Sequence, residues 1–251
     1  MKKWIVLISA AFFPQALWAA EVPATLQWSQ RVELSTPVSG VVKAVNVDVG
    51  DQVKKGQVLL SLDSTIYQAS VTEIHSEITR FKAEAEEAKR DLDRMRDLHE
   101  RTVVATVELD QARLNLVISQ SKLDEARARL RQDQKALDDT SLRAPFDAVV
   151  ILRDAEPGLS VVTGLQPQML LTLARSGEMV ARMELPSSQI DNLKTGQTVT
   201  VTVAGTRYTG KIKTLGLEPV RTKAGDVYPV DVIFPIRHPL RAGTPAVIKL
   251  P

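Results

Sequence analysis

Phe81-Lys82-Ala83-Glu84-Ala85-Glu86-Glu87-Ala88-Lys89-Arg90-Asp91-Leu92-Asp93-Arg94-Met95 places an apolar side chain at every third or fourth position and charge almost everywhere else. It is part of a 74-residue stretch, Tyr67–Thr140, that contains neither glycine nor proline, the strongest helix breakers. The spacing extends in both directions. Val71, Ile74, Ile78, Phe81, Ala85, Ala88, Leu92 and Met95 form one seam. Leu109, Ala112, Leu116, Ser119, Leu123, Ala126, Leu130, Asp133 and Leu137 form a second. Both have the 3.5-residue period of a heptad repeat. Arg101–Ala105 interrupts them with β-branched Thr102, Val103 and Val104, and Thr106 is placed to cap a new helix. Two long helices joined by a short loop fold back as an antiparallel pair. Folding about Thr102 sets Met95 against Leu109, Leu92 against Ala112, Phe81 against Leu123 and Ile74 against Leu130. Neither helix shows a second apolar stripe, so the pair reads as a free rod about 50 Å long. Its charges read as a solvated face with i,i+4 partners such as Glu86 and Arg90.

The rod explains the composition. It holds 13 Lys+Arg and 16 Asp+Glu, nearly half of the charged residues of a 251-residue chain whose net charge is only +2. That balance gives no electrostatic case for nucleic-acid binding. The chain has no cysteine, which excludes disulfides, thiolate metal sites, a cysteine nucleophile and a lipidated N-terminal cysteine. Aromatic residues are 4% of the chain, so small aliphatic modules are expected. At the N-terminus, Lys2 and Lys3 precede the apolar run Trp4–Phe13 and the small-residue end Ala16-Leu17-Trp18-Ala19-Ala20. This reads as an export signal, residues 1–19, cleaved after Ala19; an uncleaved anchor is the alternative.

The sequence flanking the rod is duplicated. Pro37-Val38-Ser39-Gly40-Val41-Val42 aligns with Pro145-Phe146-Asp147-Ala148-Val149-Val150 at an offset of 108. The same offset pairs Gly50 with Gly158, Val53 with Val161 and Gly56 with Gly164. After a three-residue insertion, Leu59–Leu62 matches Leu170–Leu173. Each copy reads as short strands broken by glycine turns, and two such halves can pair into one sandwich. Ser39–Val42, Val49–Gln57, the hairpin and then Leu142–Val150, in that order, resemble the bacterial membrane fusion proteins, the haemolysin-D-like periplasmic adaptor subunits of tripartite efflux and secretion systems. Ala148 stands where that family usually has glycine.

The resemblance implies an α+β multidomain fold. A long antiparallel coiled-coil hairpin (67–140) is inserted in a lipoyl- or biotinyl-like β-sandwich (halves 39–66 and 141–175). A small β-barrel (176–251) follows, joined by an N-terminal strand within 20–38. Gly40, Gly50, Gly56, Pro145, Gly158 and Gly164 are its structural turns. The resemblance also implies a function: linking an inner-membrane transporter to an outer-membrane channel for export of small molecules, in the periplasm and associated with the inner membrane. A resistance-nodulation-division transporter is the favoured pump, with an ATP-driven exporter or type I secretion system as runner-up. A secreted coiled-coil scaffold without a pump is the reading from another class. In the family the hairpin tip meets the channel, here Arg94, Leu98, Arg101, Thr102, Val103, Ala105 and Thr106. Members that use the outer-membrane exit duct carry Arg, then Leu four residues on, then Ser seven further. Arg94 and Leu98 match, whereas Ala105 replaces the serine and Thr106 offers a hydroxyl one position later. Leu98 lies beside the seam and reads as an exposed apolar contact. Long hairpins that bury little alone also motivate self-association into a ring.

Other chemistry finds no support in the sequence. A carrier needs a lysine at a hairpin tip in a Met-Lys-Met-like setting; Lys54 and Lys55 are in a Val-Lys-Lys-Gly turn instead. Gly205–Lys211 has phosphate-loop spacing, but Ile212 replaces the Mg²⁺-binding hydroxyl and the following residues alternate like a strand. His75, His99 and His238 are too dispersed to share a metal, and no nucleophile has an adjacent base. No catalytic, cofactor or metal residue is assigned, and the chain is read as a non-enzyme. Barrel strands are expected at Met179–Leu185, Thr198–Val203, Arg207–Leu215, Val227–Phe234 and Ala246–Leu250, with a short helix or turn at Ile190–Gly196.

Overall fold

A computed structural model describes residues 21–164, 166–222 and 225–250; the export segment read at 1–19 lies outside them. The described chain divides into two units, one of residues 30–175 and one built from 21–29 with 176–250. In order, the elements are β1 (Glu21–Trp28), β2 (Arg31–Leu34), β3 (Gly40–Val45), β4 (Gln52–Val53) and β5 (Val58–Leu62). Then come α1 (Thr65–Glu100), α2 (Thr106–Asp138), β6 (Ser141–Arg143), β7 (Ala148–Arg153), β8 (Ser160–Val161) and β9 (Leu171–Arg175). The last group is β10 (Glu178–Leu185), α3 (Ser187–Ile190), β11 (Thr198–Val203), β12 (Thr206–Leu215), β13 (Val220–Thr222), β14 (Gly225–Pro235) and β15 (Pro245–Lys249).

In the first unit the duplicated sequence becomes a reciprocal exchange of strands. β3 pairs with β8 through Gly40 and Val161, while β7 pairs with β4 through Ala148 and Val53. These two pairings are related by the offset of 108. β5 takes β6 as its neighbour and β9 takes β2, so two four-stranded sheets, β2-β9-β7-β4 and β6-β5-β3-β8, each contain strands of both copies. Leu59, Leu60, Leu62, Leu170, Leu171 and Leu173 fill the core between them. The corners are left-handed at Gly50, Gly56, Gly158 and Gly164, where φ is 98°, 82°, 91° and 113°, a region open to glycine without steric cost.

The hairpin leaves and re-enters this sandwich at one point, where the Leu62 amide donates to the Thr140 carbonyl at 2.8 Å. Asp63 accepts from the Thr65 amide at 3.0 Å and its hydroxyl at 2.6 Å, which orders the first turn of α1. The Tyr67 hydroxyl donates to the Ser39 carbonyl at 2.6 Å and ties that turn to the sandwich. Along the rod, Ile74, Ala85 and Leu92 of α1 are buried with Leu109, Ala112, Leu123 and Ala126 of α2. The polar seam position Asp133 is satisfied by the Ser70 hydroxyl at 2.8 Å. Three details differ from the sequence reading. Ala105, extended at φ −77° and ψ 161°, precedes the helix, so Thr106 is its first residue instead of its cap. Arg90 pairs with Glu87 at 2.6 Å, at a spacing of three residues instead of the four that separate it from Glu86. Most importantly, α2 does carry a second apolar stripe: Val107, Leu114, Val117 and Ile118 are all exposed.

The second unit is a six-stranded barrel, β10-β1-β15-β11-β12-β14, closed by the pairing of β10 with β14. Its strands alternate because one face lines a filled interior: Val199, Val201 and Val203 of β11 are buried, and threonines stand between them. Phe234, Met179, Met183, Leu26 and Ile248 complete that interior. The phosphate-loop-like segment is a turn and a strand here. Ala204 and Gly205, at φ 46° and 82°, form the two-residue connection between β11 and β12. The segment expected as a short helix or turn at Ile190–Gly196 is a pair of turns, preceded by the short helix Ser187–Ile190 after Pro186, and Ile190 packs against the barrel core. β13 was not expected from sequence; it adds to β14 as a small ribbon.

Two outcomes follow. A Cβ on Gly210 would come within 2.6 Å of Val232 and 3.1 Å of Val201, so Gly210→Ala should cost about 1–3 kcal/mol in denaturant unfolding through overpacking. The carboxyls of Asp63 and Asp147 are both held below their ordinary value of 3.8, by hydrogen bonds from Thr65 and from the Lys55 amide respectively. Their stabilisation is therefore complete above that value and is lost as pH falls through the lowered values. Melting temperature followed into acid should decline less steeply in Asp63→Asn than in the parent.

Candidate functional site

The sequence-predicted contact residues converge at the free end of the hairpin, and the chain chemistry there is a helix stop. α1 ends with the Val103 amide donating to the Leu98 carbonyl at 2.9 Å and the Thr102 amide to the His99 carbonyl at 2.8 Å. This double closure normally has glycine at the left-handed residue. Here that residue is Thr102, at φ 62°. A β-branched side chain in this region is disfavoured by about 1–3 kcal/mol, so the tip holds local backbone strain. Such strain clusters where a surface must be presented in one conformation, which marks the loop as the candidate site.

A second contact pins the loop. His99 Nδ1 is 3.0 Å from the Val104 carbonyl, and since a carbonyl only accepts, the ring must carry its proton on Nδ1. The sequence reading gave His99 no role. A histidine in the last turn of a helix, five residues before a carbonyl in a short loop, was the available signal. The loop is thereby closed from the backbone and from a side chain at once.

The individual residues divide into two groups. Arg101, Thr102, Val103, Ala105 and Thr106 are exposed, with Val103 at 66% the largest apolar surface in the loop. Arg94 is ion-paired to Asp91 on its own helix. Leu98 is half-buried, not the exposed contact expected from its position beside the seam, and its carbonyl accepts from Val103 in the helix stop. The exposed apolar surface at this end is Val103, followed along α2 by Val107 at 77%. The remaining seam residues, Ile78, Phe81, Met95, Leu116 and Leu130, are half-buried between the helices. Among the described residues no group of three His, Asp or Glu side chains converges to hold a metal. In the sandwich, Lys54 reaches Asp147 at 3.5 Å.

An interrupted two-copy sandwich, a coiled-coil hairpin and a barrel define a barrel-sandwich hybrid architecture. The family described as CzcB-like, barrel-sandwich hybrid domain matches residues 30–166, and the chain belongs to it, within the membrane fusion proteins. It is 28% identical to the macrolide export protein MacA of Yersinia pestis over 229 residues, covering 84% of this chain and 61% of that protein. It is 33% identical to the pyoverdine export membrane fusion protein PvdR of Pseudomonas putida over 188 residues, covering 69% and 48%. The chain thus spans about half to three fifths of the length of these relatives. The same fold is found in the membrane fusion protein Spr0693 of Streptococcus pneumoniae R6, with a TM-score of 0.72, 19% identity and coverage of 92% of this chain and 98% of that one.

The strain at the tip is measurable. Thr102→Gly should raise stability by about 1 kcal/mol by relieving the left-handed β-branched residue. His99→Ala should lose about 1 kcal/mol, seen as faster hydrogen exchange at the Thr102 and Val103 amides.

Proposed function

We propose that this protein is a periplasmic adaptor that joins an inner-membrane transporter to an outer-membrane channel for the export of small molecules. The observation that carries the reading is the tip: an exposed, conformationally fixed loop at the end of two helices of 36 and 33 residues. Such a rod, about 50 Å long, buries a narrow seam and presents its end to a partner. Similarity to proteins named for macrolide and pyoverdine export supports export of small molecules as the process served. The family's association with the inner membrane fits a chain whose apolar run Trp4–Phe13 follows two lysines.

Self-association into a ring is part of the proposal, and the outer stripe of α2 supports it. Val107, Leu114 and Ile118 recur at intervals of seven and four, one face of a helix, with Val117 beside them. An exposed apolar stripe on a helix already paired through its other face is suited to a neighbouring hairpin. A resistance-nodulation-division transporter and an ATP-driven exporter both fit this architecture. Adaptor-stimulated ATP hydrolysis by the co-isolated transporter identifies the second; export abolished by a protonophore without such hydrolysis identifies the first.

The cysteine-free sequence makes the test direct. A photoreactive thiol label on Val103→Cys should cross-link an outer-membrane channel in intact cells, and Val103→Asp should abolish export with unchanged melting temperature. Leu114→Glu with Ile118→Glu should weaken self-association roughly tenfold or more, read by sedimentation. Cross-links confined to this chain, with full export by Val103→Asp, would leave the free coiled-coil scaffold as the correct reading.

A further inference from the structure

We propose that the outer wall formed by β15, β11 and β12 of the barrel docks on anionic phospholipid headgroups. It deepens the reading of the protein as an inner-membrane-associated adaptor by naming the surface that meets the membrane.

The wall is chemically one-sided. The three adjacent strands, Thr198–Val203, Thr206–Leu215 and Pro245–Lys249, contain no aspartate or glutamate. Their outward positions carry Arg207, Lys211, Lys213 and Lys249, all exposed, among Thr198, Thr200, Thr202 and Thr209. Among the described residues none of these four cations has a carboxylate partner. By contrast, Arg182 on the opposite side of the barrel is bound in two hydrogen bonds to Asp231, at 2.7 and 2.8 Å. The strand register sets the spacing. Thr200 lies between Lys249 and Thr209, and Arg207 and Lys211 stand two residues either side of Thr209. Adjacent strands are about 4.8 Å apart and alternate residues about 6.8 Å, so the cations cover a patch about 10 by 14 Å. Cations without salt-bridge partners, on three strands that contain no acid, generate a positive potential that favours an anionic occupant.

A further feature favours a membrane over an acidic protein. Glu21 pairs with Lys249 in the ladder and marks one end of the wall. β12 runs toward the same end of the barrel, since Lys211 aligns with Thr198 beyond the row of Lys249. Past that end it continues into the ribbon of β13, where Leu217 is 94% exposed and Val220 50%. Aliphatic side chains beside cations are the pattern of interfacial membrane binding. Glu21 beside Lys249, Asp231 beside Thr214 (already bound to Arg182) and Glu218 after β12 are acidic groups against which the attraction must prevail.

The test uses the exported protein carrying Thr209→Cys, labelled with an environment-sensitive dye at the centre of the wall. Vesicles containing phosphatidylglycerol should shift the dye emission to the blue, while phosphatidylcholine vesicles should not, and high salt should abolish the shift. The neutral pair Arg207→Gln with Lys211→Gln should raise the lipid concentration needed for half-saturation by about thirtyfold, and Arg207→Glu with Lys211→Glu should raise it further. Equal response to both vesicle types, no response to either, or a wild-type response from the charge-reversed protein would overturn the proposal. A salt-sensitive response to the co-isolated transporter alone, with none to vesicles, would overturn it in favour of a protein surface. Melting temperature checks that the variants fold. Cross-linking through Val103 in the charge-reversed protein reads the adaptor function separately, so either reading can fail without the other.

Discussion

A single closure, the Leu62 amide on the Thr140 carbonyl at 2.8 Å, organises the first unit. Everything between those residues is inserted into a β-module, yet the insertion returns the chain to where it left. The sheets can therefore pair as though the hairpin were a tight turn. The sandwich does the converse for the hairpin. Asp63 orders the first helical turn, and the Tyr67 hydroxyl on the Ser39 carbonyl fixes the direction in which α1 departs. A coiled coil with alanine at Ala85, Ala112 and Ala126 gains little from apolar burial at those layers. Its orientation thus depends more on the root than on the seam.

What the sequence made legible was periodic or duplicated. The heptad seam was visible because burial between two helices imposes a spacing that survives in one dimension. The sandwich was visible because its halves repeat, with Val53 and Val161 in matching buried positions and glycines at matching left-handed corners. The barrel strands were visible where one face was filled, as in Thr198–Val203. β13 escaped notice because three residues pairing only at the edge of β14 need no alternation.

The candidate site was less legible, for a physical reason. A docking surface is defined by what remains exposed, and exposure depends on the fold around each residue. Leu98 looked available from its position beside the seam, but in the fold its side chain is half-buried at the end of α1. Val107, Leu114, Val117 and Ile118 were overlooked because the seam on the same helix supplied a sufficient reason for its apolar residues. Thr102 gave no sign of its left-handed conformation, since threonine is a residue for which that region is costly.

The reciprocal pairing of β3 with β8 and β7 with β4 also dictates an order of events in folding. Neither half can complete its sheets alone, and the partners are separated by the whole hairpin. Bringing such distant ends together through a random coil is entropically slow. If the helices pair first, the loop left to close shrinks from about eighty residues to a few, a gain of about 2 kcal/mol in closure entropy. On that route the rod acts during folding as the clamp that delivers the two halves of the sandwich to each other.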